Sequence, residues 1–302
     1  MSELKKLQSL VRKNICFESQ EEILTFHREI VNLISGCSYN NFPNLQEIFQ
    51  PEEINRLLAN MMKFYSRVGE IRPTPGNVIR FVAHSGYKDE PDLDQDDPPV
   101  TRRTTALHRA VRCDRWLISH LIDNESIWEL FIIYHRLDVN YVDVDGLTHF
   151  HVACRFGCED IVKKFLDLGA DPNCRVTGTG YSTLHFALQV FPLANRRNVW
   201  TLLLKMGANP NLADAEGRSP LHFICKKFGE DHVLAKTLVE LCDKKYRPLQ
   251  IYAQDRLGDT PLSLAKTGGH NLVAELLLKS IADQNFTNDP DESLPAKKQR
   301  LE

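Results

Sequence analysis

Residues 145–173 read DGLTHFHVACRFGCEDIVKKFLDLGADPN, and this stretch decides the fold. It begins with a glycine-containing turn, continues as a threonine-started helical segment, turns again at Gly157 and ends in the signature GADPN at 169–173. Between the second turn and that signature, the apolar residues of 161–166 follow the spacing of one buried helical face. The stretch therefore predicts a turn followed by two antiparallel helices.

The Thr-His-Phe-His block of this stretch recurs along the chain, at separations of 43, 34, 37 and 41 residues. The equivalent blocks begin at Thr105, Thr148, Ser182, Ser219 and Thr260. Each begins with a hydroxyl residue, whose oxygen can accept a hydrogen bond from an unpaired backbone N–H at a helix start. Pro220 and Pro261 suit a first helical position, because proline has no N–H to leave unpaired. One such unit cannot bury both of its faces, so neighbouring units must stack.

In these features the chain resembles the ankyrin repeat, a turn plus two antiparallel helices with a T-P-L-H-x-A signature and a period of ~33 residues. The resemblance covers roughly residues 99–283. It implies an all-α fold, an ankyrin-repeat solenoid in which helix pairs are joined by short β-hairpin turns. The helical N-terminal pattern, the phrase GYKDEP at 86–91 and the block THFHVAC at 148–154 together resemble an insect ankyrin-repeat family. That second resemblance brings no biochemical activity with it.

The first 98 residues lack the repeat, but they carry helical patterns. A capping box at 19–22 precedes apolar residues at helical spacing, and Pro51 opens a second pattern of the same kind. We expect a helical N-terminal region over 1–88, an acidic linker over 89–98, about five ankyrin repeats over 99–283 and a disordered tail over 284–302.

Composition excludes several classes of function. The chain has 37 Lys and Arg against 40 Asp and Glu, a formal net charge of −3, which gives no general attraction to nucleic acid or to an acidic membrane. Its apolar runs are far shorter than the ~18 residues of a membrane span. The eight cysteines form no CxxC pair, and the N-terminal stretch does not resemble a secretory signal. We therefore expect a cytoplasmic protein with reduced thiols that binds neither nucleic acid nor membrane directly.

Catalytic or metal chemistry has one candidate location, the segment HFHVACRFGC at 149–158. His149, His151, Cys154 and Cys158 are zinc-ligand types, so a metal or redox enzyme at this segment is the remote alternative. The repeat, however, already assigns structural places to these residues. The same holds for the signature histidines His108, His151, His185 and His222. They recur at equivalent positions of the repeat, whereas a catalytic base is normally unique. We expect no enzyme activity and no cofactor.

Protein binding is the remaining function. In ankyrin proteins, partners are held by the hairpin tips and by residues late in the first helix of each repeat, and the resemblance implies the same here. The corresponding tip residues are Val144, Asp145, Leu147, Thr179, Tyr181, Glu216, Arg218, Arg256, Leu257 and Asp259. The corresponding helix residues are Arg112, Arg155, Phe156, Gln189, Lys226 and Lys227. The basic members of the second set indicate an acidic partner segment, or capture of the chain's own acidic stretch 89–97.

We therefore expect a monomeric scaffold or adaptor that grips a protein partner. Two narrower alternatives are a stoichiometric inhibitor of a transcription-factor-like partner and a ubiquitin-ligase substrate adaptor. Near the C-terminus, Lys297, Lys298 and Arg300 form a Pro-led basic cluster that resembles a nuclear-import signal, which would add the nucleus to the expected location. A solubilising tail explains that cluster equally well.

Overall fold

A computed structural model describes residues 20–35, 44–47, 49–65, 76–91, 101–112, 124–190, 193–227 and 232–287, together with Lys5 and Ser9. The chain divides into two compact units, Met1–Val199 and Trp200–Glu302, which we describe separately. Strand-like pairing in the ranges given is limited to isolated bridges: Arg102 with Val142, Val142 with Thr148, and Arg175 with Ser182. None of the helices in these ranges combines the length and the apolar character that a membrane crossing requires.

The described elements are helices and short 3-10 turns. The helices of the first unit are α1 (Gln20–Ser35), α2 (Pro51–Tyr65), α3 (Gly76–His84), α4 (Ala106–Arg112), α5 (Asn124–Ile133), α6 (His149–Phe156), α7 (Glu159–Asp167), α8 (Thr183–Ala187) and α9 (Leu193–Lys205), the last of which contains the division point. The helices of the second unit are α10 (Pro220–Lys227), α11 (His232–Leu241), α12 (Pro261–Thr267) and α13 (Asn271–Thr287). The 3-10 turns are Leu45–Glu47 and Lys244–Tyr246.

The second repeat, α6 and α7, shows how the sequence sets the helix ends. Thr148 caps α6 by accepting the His151 N–H at 3.2 Å, while the His151 ring accepts the Thr148 N–H in return. Gly157 ends α6 with a φ of 70°, and a Cβ there would stand 2.6 Å from the Val190 side chain. Both conditions favour glycine at that turn. The next helix can then fold back, and α6 packs against α7 as well as against α4 and α8 of the neighbouring repeats.

The N-terminal helices pack directly on the first repeat, with α2 against α4 and α3 against α5. Beside them, Asp89 is only 1% exposed. Its carboxylate accepts hydrogen bonds from Asn55 Nδ2 at 2.8 Å, from Tyr141 Oη at 3.0 Å and from the Arg103 guanidinium. Asp89, which the sequence analysis places in a linker, thus joins α2 to the first two repeats. Residues 92–98 lie outside the described ranges, and the domain boundaries stay a prediction.

Three hairpins are held by a buried aspartate that sequence analysis did not single out. One carboxylate oxygen of each aspartate accepts two backbone N–H groups of its own turn, as Asp255 does from Leu257 at 2.9 Å and from Asp259 at 3.0 Å. Asp143 and Asp214 make the same pair of bonds in their hairpins. The hairpin of the third repeat differs, because Val176 occupies this place and the turn contains one more residue. This longer turn forms part of the site described next.

Candidate functional site: a groove in the first unit

A groove of about 520 Å³ opens in the first unit, between the hairpins of the second and third repeats and the ends of three first helices. Its apolar surface comes from Val111, Leu147, Val176 and Phe186. Its polar and amphipathic surface comes from Arg112, Asp145, Arg155, Thr179, Tyr181 and Gln189. The groove therefore combines an apolar floor with polar groups at its edges, the usual composition of a binding site.

The two hairpins that form its walls are tied together at their tips. The Thr177 N–H donates to the Asp145 carbonyl at 2.8 Å. Gly146, with a φ of 80°, allows this approach, because a Cβ there would stand 2.8 Å from Thr177 Oγ1. Within the third hairpin, the Val176 N–H donates to the Tyr181 carbonyl at 3.0 Å. These bonds fix the separation of the walls before any partner arrives.

Tyr181 gives the groove an aromatic wall whose position is set by its neighbours. Its ring stacks on His185, with centroids 5.2 Å apart and planes at 19°. It also meets Phe186 edge to face, with centroids 5.8 Å apart. Such ring pairs favour one geometry and contribute beyond the area they bury. Tyr181 is half-buried, so part of it remains available to a partner.

Arg112 lies at the edge of the groove, at the end of α4, and its side chain is 44% exposed. Its Nη2 donates to two carboxylates, Asp143 and Asp145. The Asp143 side chain is fully buried, whereas that of Asp145 is 52% exposed. Arg112 therefore ties the first repeat to the hairpin of the second through one buried and one exposed ion pair.

Arg155 contributes the second guanidinium, but it is mostly covered. The residue is 8% exposed, and its Nη1 donates to Gln189 Oε1 just after α8. This bond links the first helices of the second and third repeats across the floor of the groove. Gln189 itself is half-buried, so its amide lies at the surface of the groove.

Comparison with known proteins identifies the repeat. The family model described as ankyrin repeats, in three copies, matches residues 121–214 and 184–288, more than half of the chain. The chain belongs to the ankyrin-repeat family. The prediction of an all-α ankyrin-repeat fold is confirmed, since the described elements are helical and their hairpins carry only isolated bridges.

Several curated proteins share the ankyrin repeats of this chain. Human neurogenic locus notch homolog protein 4 is 37% identical over 125 residues, 40% of this chain and 6% of that protein. The probable 26S proteasome regulatory subunit p28 of Saccharomyces cerevisiae is 30% identical over 153 residues, 49% of this chain and 62% of that protein. The E3 ubiquitin-protein ligase hecd-1 of Caenorhabditis elegans is 32% identical over 105 residues, 35% of this chain and 4% of that protein. The matches span less than two thirds of each of these relatives.

The structure brings seven residues of the implied ankyrin binding surface together at the groove: Arg112, Asp145, Leu147, Arg155, Thr179, Tyr181 and Gln189. Their exposure differs from the expectation in part. Leu147, Arg155 and Phe156 are buried, unlike the exposed side chains that a partner-binding surface presents. Leu147 turns into the core after the hairpin tip, and the end of α6 is covered because helices of both neighbouring repeats pack on it.

The other members of the implied surface are divided between the two units. Val144 lies exposed at the tip of the second hairpin. The members in the second unit are Glu216, Arg218, Lys226, Lys227, Arg256, Leu257 and Asp259. Among these, Arg256 Nη1 pairs with Glu216 Oε1 at 3.2 Å, and Arg218 Nη2 pairs with buried Asp214 at 2.8 Å. Lys226 and Lys227 are exposed at the end of α10. The basic cluster Lys297, Lys298 and Arg300 lies outside the described residues, and its role stays a prediction.

Four groove residues were missed at the sequence level: Val111, Val176, Gly178 and Phe186. Val111 and Phe186 precede Arg112 and Gln189, the late-helix residues of the implied surface. Both are apolar, so the sequence alone does not distinguish them from residues of the core. Val176 and Gly178 belong to the longer third hairpin. There the repeat itself offered a signal, because Val176 replaces the aspartate found in the other hairpins.

The candidate metal segment is occupied by structural bonds. His151 accepts the Thr148 N–H and donates from Nε2 to the Cys174 carbonyl at 3.1 Å, and His149 Nε2 lies 2.7 Å from Thr105 Oγ1. Burial raises the pKa of the Cys154 thiol well above its usual value and that of Cys158 to about 12. No set of three or more His, Cys, Asp or Glu side chains is placed to hold a metal ion in the part of the chain that the structure describes.

Proposed function

We propose that this chain is a non-enzymatic protein-binding adaptor, and that the groove of the first unit holds a segment of its partner. Ankyrin repeats generally mediate protein–protein interaction, and the family is typically non-enzymatic. The observation that carries the proposal is the preformed groove, with walls fixed by the Thr177–Asp145 backbone bond and the Tyr181 ring contacts. A site that is ordered before binding loses less conformational entropy when the partner arrives.

The lining favours a protein segment over a reacting small molecule. It combines Tyr and Arg, the residue types enriched at binding hot spots, with an apolar floor. Among the described residues, the lining includes no His, Cys or Lys side chain, groups that often act as base or nucleophile. Thr179 at the edge of the groove is exposed, so an extended chain can approach the groove from solvent.

Affinity capture with matched variants tests this function. The full chain would be expressed in its own cells as wild type, as the double variant Tyr181→Ala with Gln189→Ala, and as the control Lys163→Ala with Lys164→Ala. The control residues lie on the exposed face of α7 and outside the groove. We expect quantitative mass spectrometry to show a partner whose recovery falls with the groove variant and not with the control. Equal recovery of all partners from the three forms, each shown to be folded, would rule the groove out.

A narrower candidate is delivery of the bound partner for ubiquitin-dependent degradation. It is favoured by the similarity to a proteasome regulatory subunit and to an E3 ubiquitin-protein ligase, although the matches cover only part of those proteins. Depleting the chain would then lengthen the half-life of the captured partner. If depletion instead raises the partner's activity at an unchanged half-life, the chain acts as a stoichiometric inhibitor.

A further inference from the structure

Arg112 has hydrogen-bonding capacity that the described structure does not use. A guanidinium carries five N–H donors in a planar fork. Nη2 of Arg112 makes both of its ion pairs, while Nε and Nη1 make no hydrogen bond to any described residue. The Arg112 side chain is 44% exposed, so a ligand can approach its guanidinium. The fork of an arginine matches the two oxygens of a carboxylate.

The two carboxylates already on Arg112 differ in how firmly they are held. Asp143 is fully buried, and its other oxygen accepts two backbone N–H groups of the hairpin, so it cannot leave without opening the turn. The Asp145 carboxylate is 52% exposed, and its one hydrogen bond within the described residues is to Arg112. An exposed ion pair of this kind contributes little to stability, so its exchange for another carboxylate costs little.

The charges of the groove favour an acidic occupant once Asp145 is displaced. Displacing Asp145 removes one of the two carboxylates that pair with Arg112, so the site becomes more positive and attracts an acidic group. Val111 precedes Arg112 on α4, and Leu147 and Val176 lie on the adjoining hairpins. A large apolar side chain next to the ligand's carboxylate would therefore pack on this floor.

We propose that the groove binds an extended peptide in which an acidic side chain neighbours a large apolar one. Its carboxylate takes the place of Asp145 on Nη2 of Arg112 and also reaches a second, unused N–H of the same guanidinium, so Asp145 is an internal competitor for this position. This inference rests on the proposed function and narrows it to one class of partner segment. It also assigns Asp145 a role opposite to that of an ordinary contact residue, because removing its charge strengthens binding.

Selection from a random peptide library against the full chain supplies the probes. We expect the enriched peptides to carry Asp or Glu beside Leu, Ile, Met, Phe or Trp, and to lose binding to the Tyr181→Ala variant. Replacing the acidic side chain by its amide in a synthetic peptide should weaken binding about tenfold or more, since hydrogen bonds between charged groups are the strong ones. Asp145→Asn should tighten binding about two- to fivefold, the range expected for an exposed ion pair.

Two variants in the second unit are the matched controls. Lys236 and Glu240 form an exposed ion pair on α11, so Lys236→Gln and Glu240→Gln remove charges of the same kind outside the groove and outside the implied binding surface. Neither should change peptide affinity. Arg112→Gln should abolish the preference for the acidic peptide over its amide, and its thermal unfolding must be recorded because it also removes the partner of buried Asp143. Asp145→Asn keeps that buried pair and serves as the test that does not depend on Arg112→Gln folding.

The possible results distinguish a failure of the carboxylate inference from a failure of the groove as a binding site. If peptides that depend on Tyr181 bind as well with the amide as with the acid, or bind no better to Asp145→Asn, the carboxylate inference is overturned while the groove remains a binding site. If no enriched peptide depends on Tyr181, both the inference and the proposed function fail. A gain with Asp145→Asn and none with Glu240→Gln supports the inference.

Discussion

Each of the four signature histidines accepts a backbone N–H at Nδ1. His108, His151 and His222 also donate from Nε2 to a backbone carbonyl near the next hairpin. His108 accepts the Thr105 N–H at 3.0 Å and donates to the Tyr141 carbonyl at 3.0 Å. His222 does the same between Ser219 and the Ala253 carbonyl. Both bonds require the neutral ring with its proton on Nε2. The structural role that the repeat pattern predicts for these histidines is therefore confirmed.

This neutral state makes the protein less stable in acid. Burial lowers the pKa of His108 and of His151 from 6.5 to about 4. Between those two values the unfolded chain binds protons that the folded chain does not, so the free energy of unfolding falls as the pH decreases from 6.5 to about 4 and levels off below. At about pH 5 we expect a loss on the order of 2 kcal/mol for each ring, measured by urea unfolding.

The last repeat supplies a control for this pH dependence. There Ser263 takes the place of the histidine and makes the same reciprocal cap with Thr260, at 2.9 and 3.0 Å. His151→Ser should therefore keep the cap of α6, lower stability at neutral pH and flatten the pH dependence by about one bound proton. An unchanged slope in this variant would show that His151 is not a source of the acid sensitivity.

Among the elements, the hairpins are stabilised more by their buried aspartates than by the residues at their tips. Asp255 is mostly buried and accepts two backbone N–H groups with one carboxylate oxygen. Asp255→Ala leaves both donors without a partner, which should cost about 2 kcal/mol or more of unfolding free energy. Asp255→Asn retains an acceptor oxygen and should cost clearly less. Urea unfolding of the two variants compares them, and equal losses would mean that the hydrogen bonds are not the cause.

The helices could be predicted because their signals are local. The Thr148–His151 cap and the glycine at 157 lie within a few residues of the ends they set, so the sequence shows both. The exposure of the last residues of α6 depends instead on which side chains of the next repeat pack against them. Arg155 is covered in part because Gln189, 34 residues later, bonds its guanidinium. A repeat signature assigns a position to a face, but it does not show how far a neighbouring side chain reaches.

At the scale of the first unit, a polar cluster around Asp89 helps to join the N-terminal helices to the repeats. Asp89 bonds Asn55 of α2, Arg103 at the start of the first repeat and Tyr141 in the second. These partners are 34, 14 and 52 residues away, so no sequence pattern links them. The acidic composition of 89–98 predicted a linker, because charge runs are usually solvated. Burial of its first residue depends on partners that only the folded chain brings together.

The burial of Asp89 predicts that removing its single charge lowers the stability of the protein strongly. Asp89→Ala in the full chain removes a carboxylate that is 1% exposed and leaves Arg103 without its ion-pair partner. Breaking a buried pair in this way should lower the free energy of unfolding by about 3 kcal/mol. Asp138→Ala is the matched control, because Asp138 forms an exposed pair with Arg136, and it should change stability by less than about 0.5 kcal/mol. Similar effects of the two changes would mean that Asp89 does not hold the N-terminal helices.

The central claim, that the groove of the first unit holds the partner, is tested most directly by site-specific photocrosslinking in cells. A benzoylphenylalanine would replace Thr179, which is exposed at the edge of the groove, and in a second form Lys163, which is exposed on α7. We predict a covalent adduct with a partner protein from position 179 and none from position 163. Adducts of equal yield from the two positions, or from 163 alone, would contradict this account.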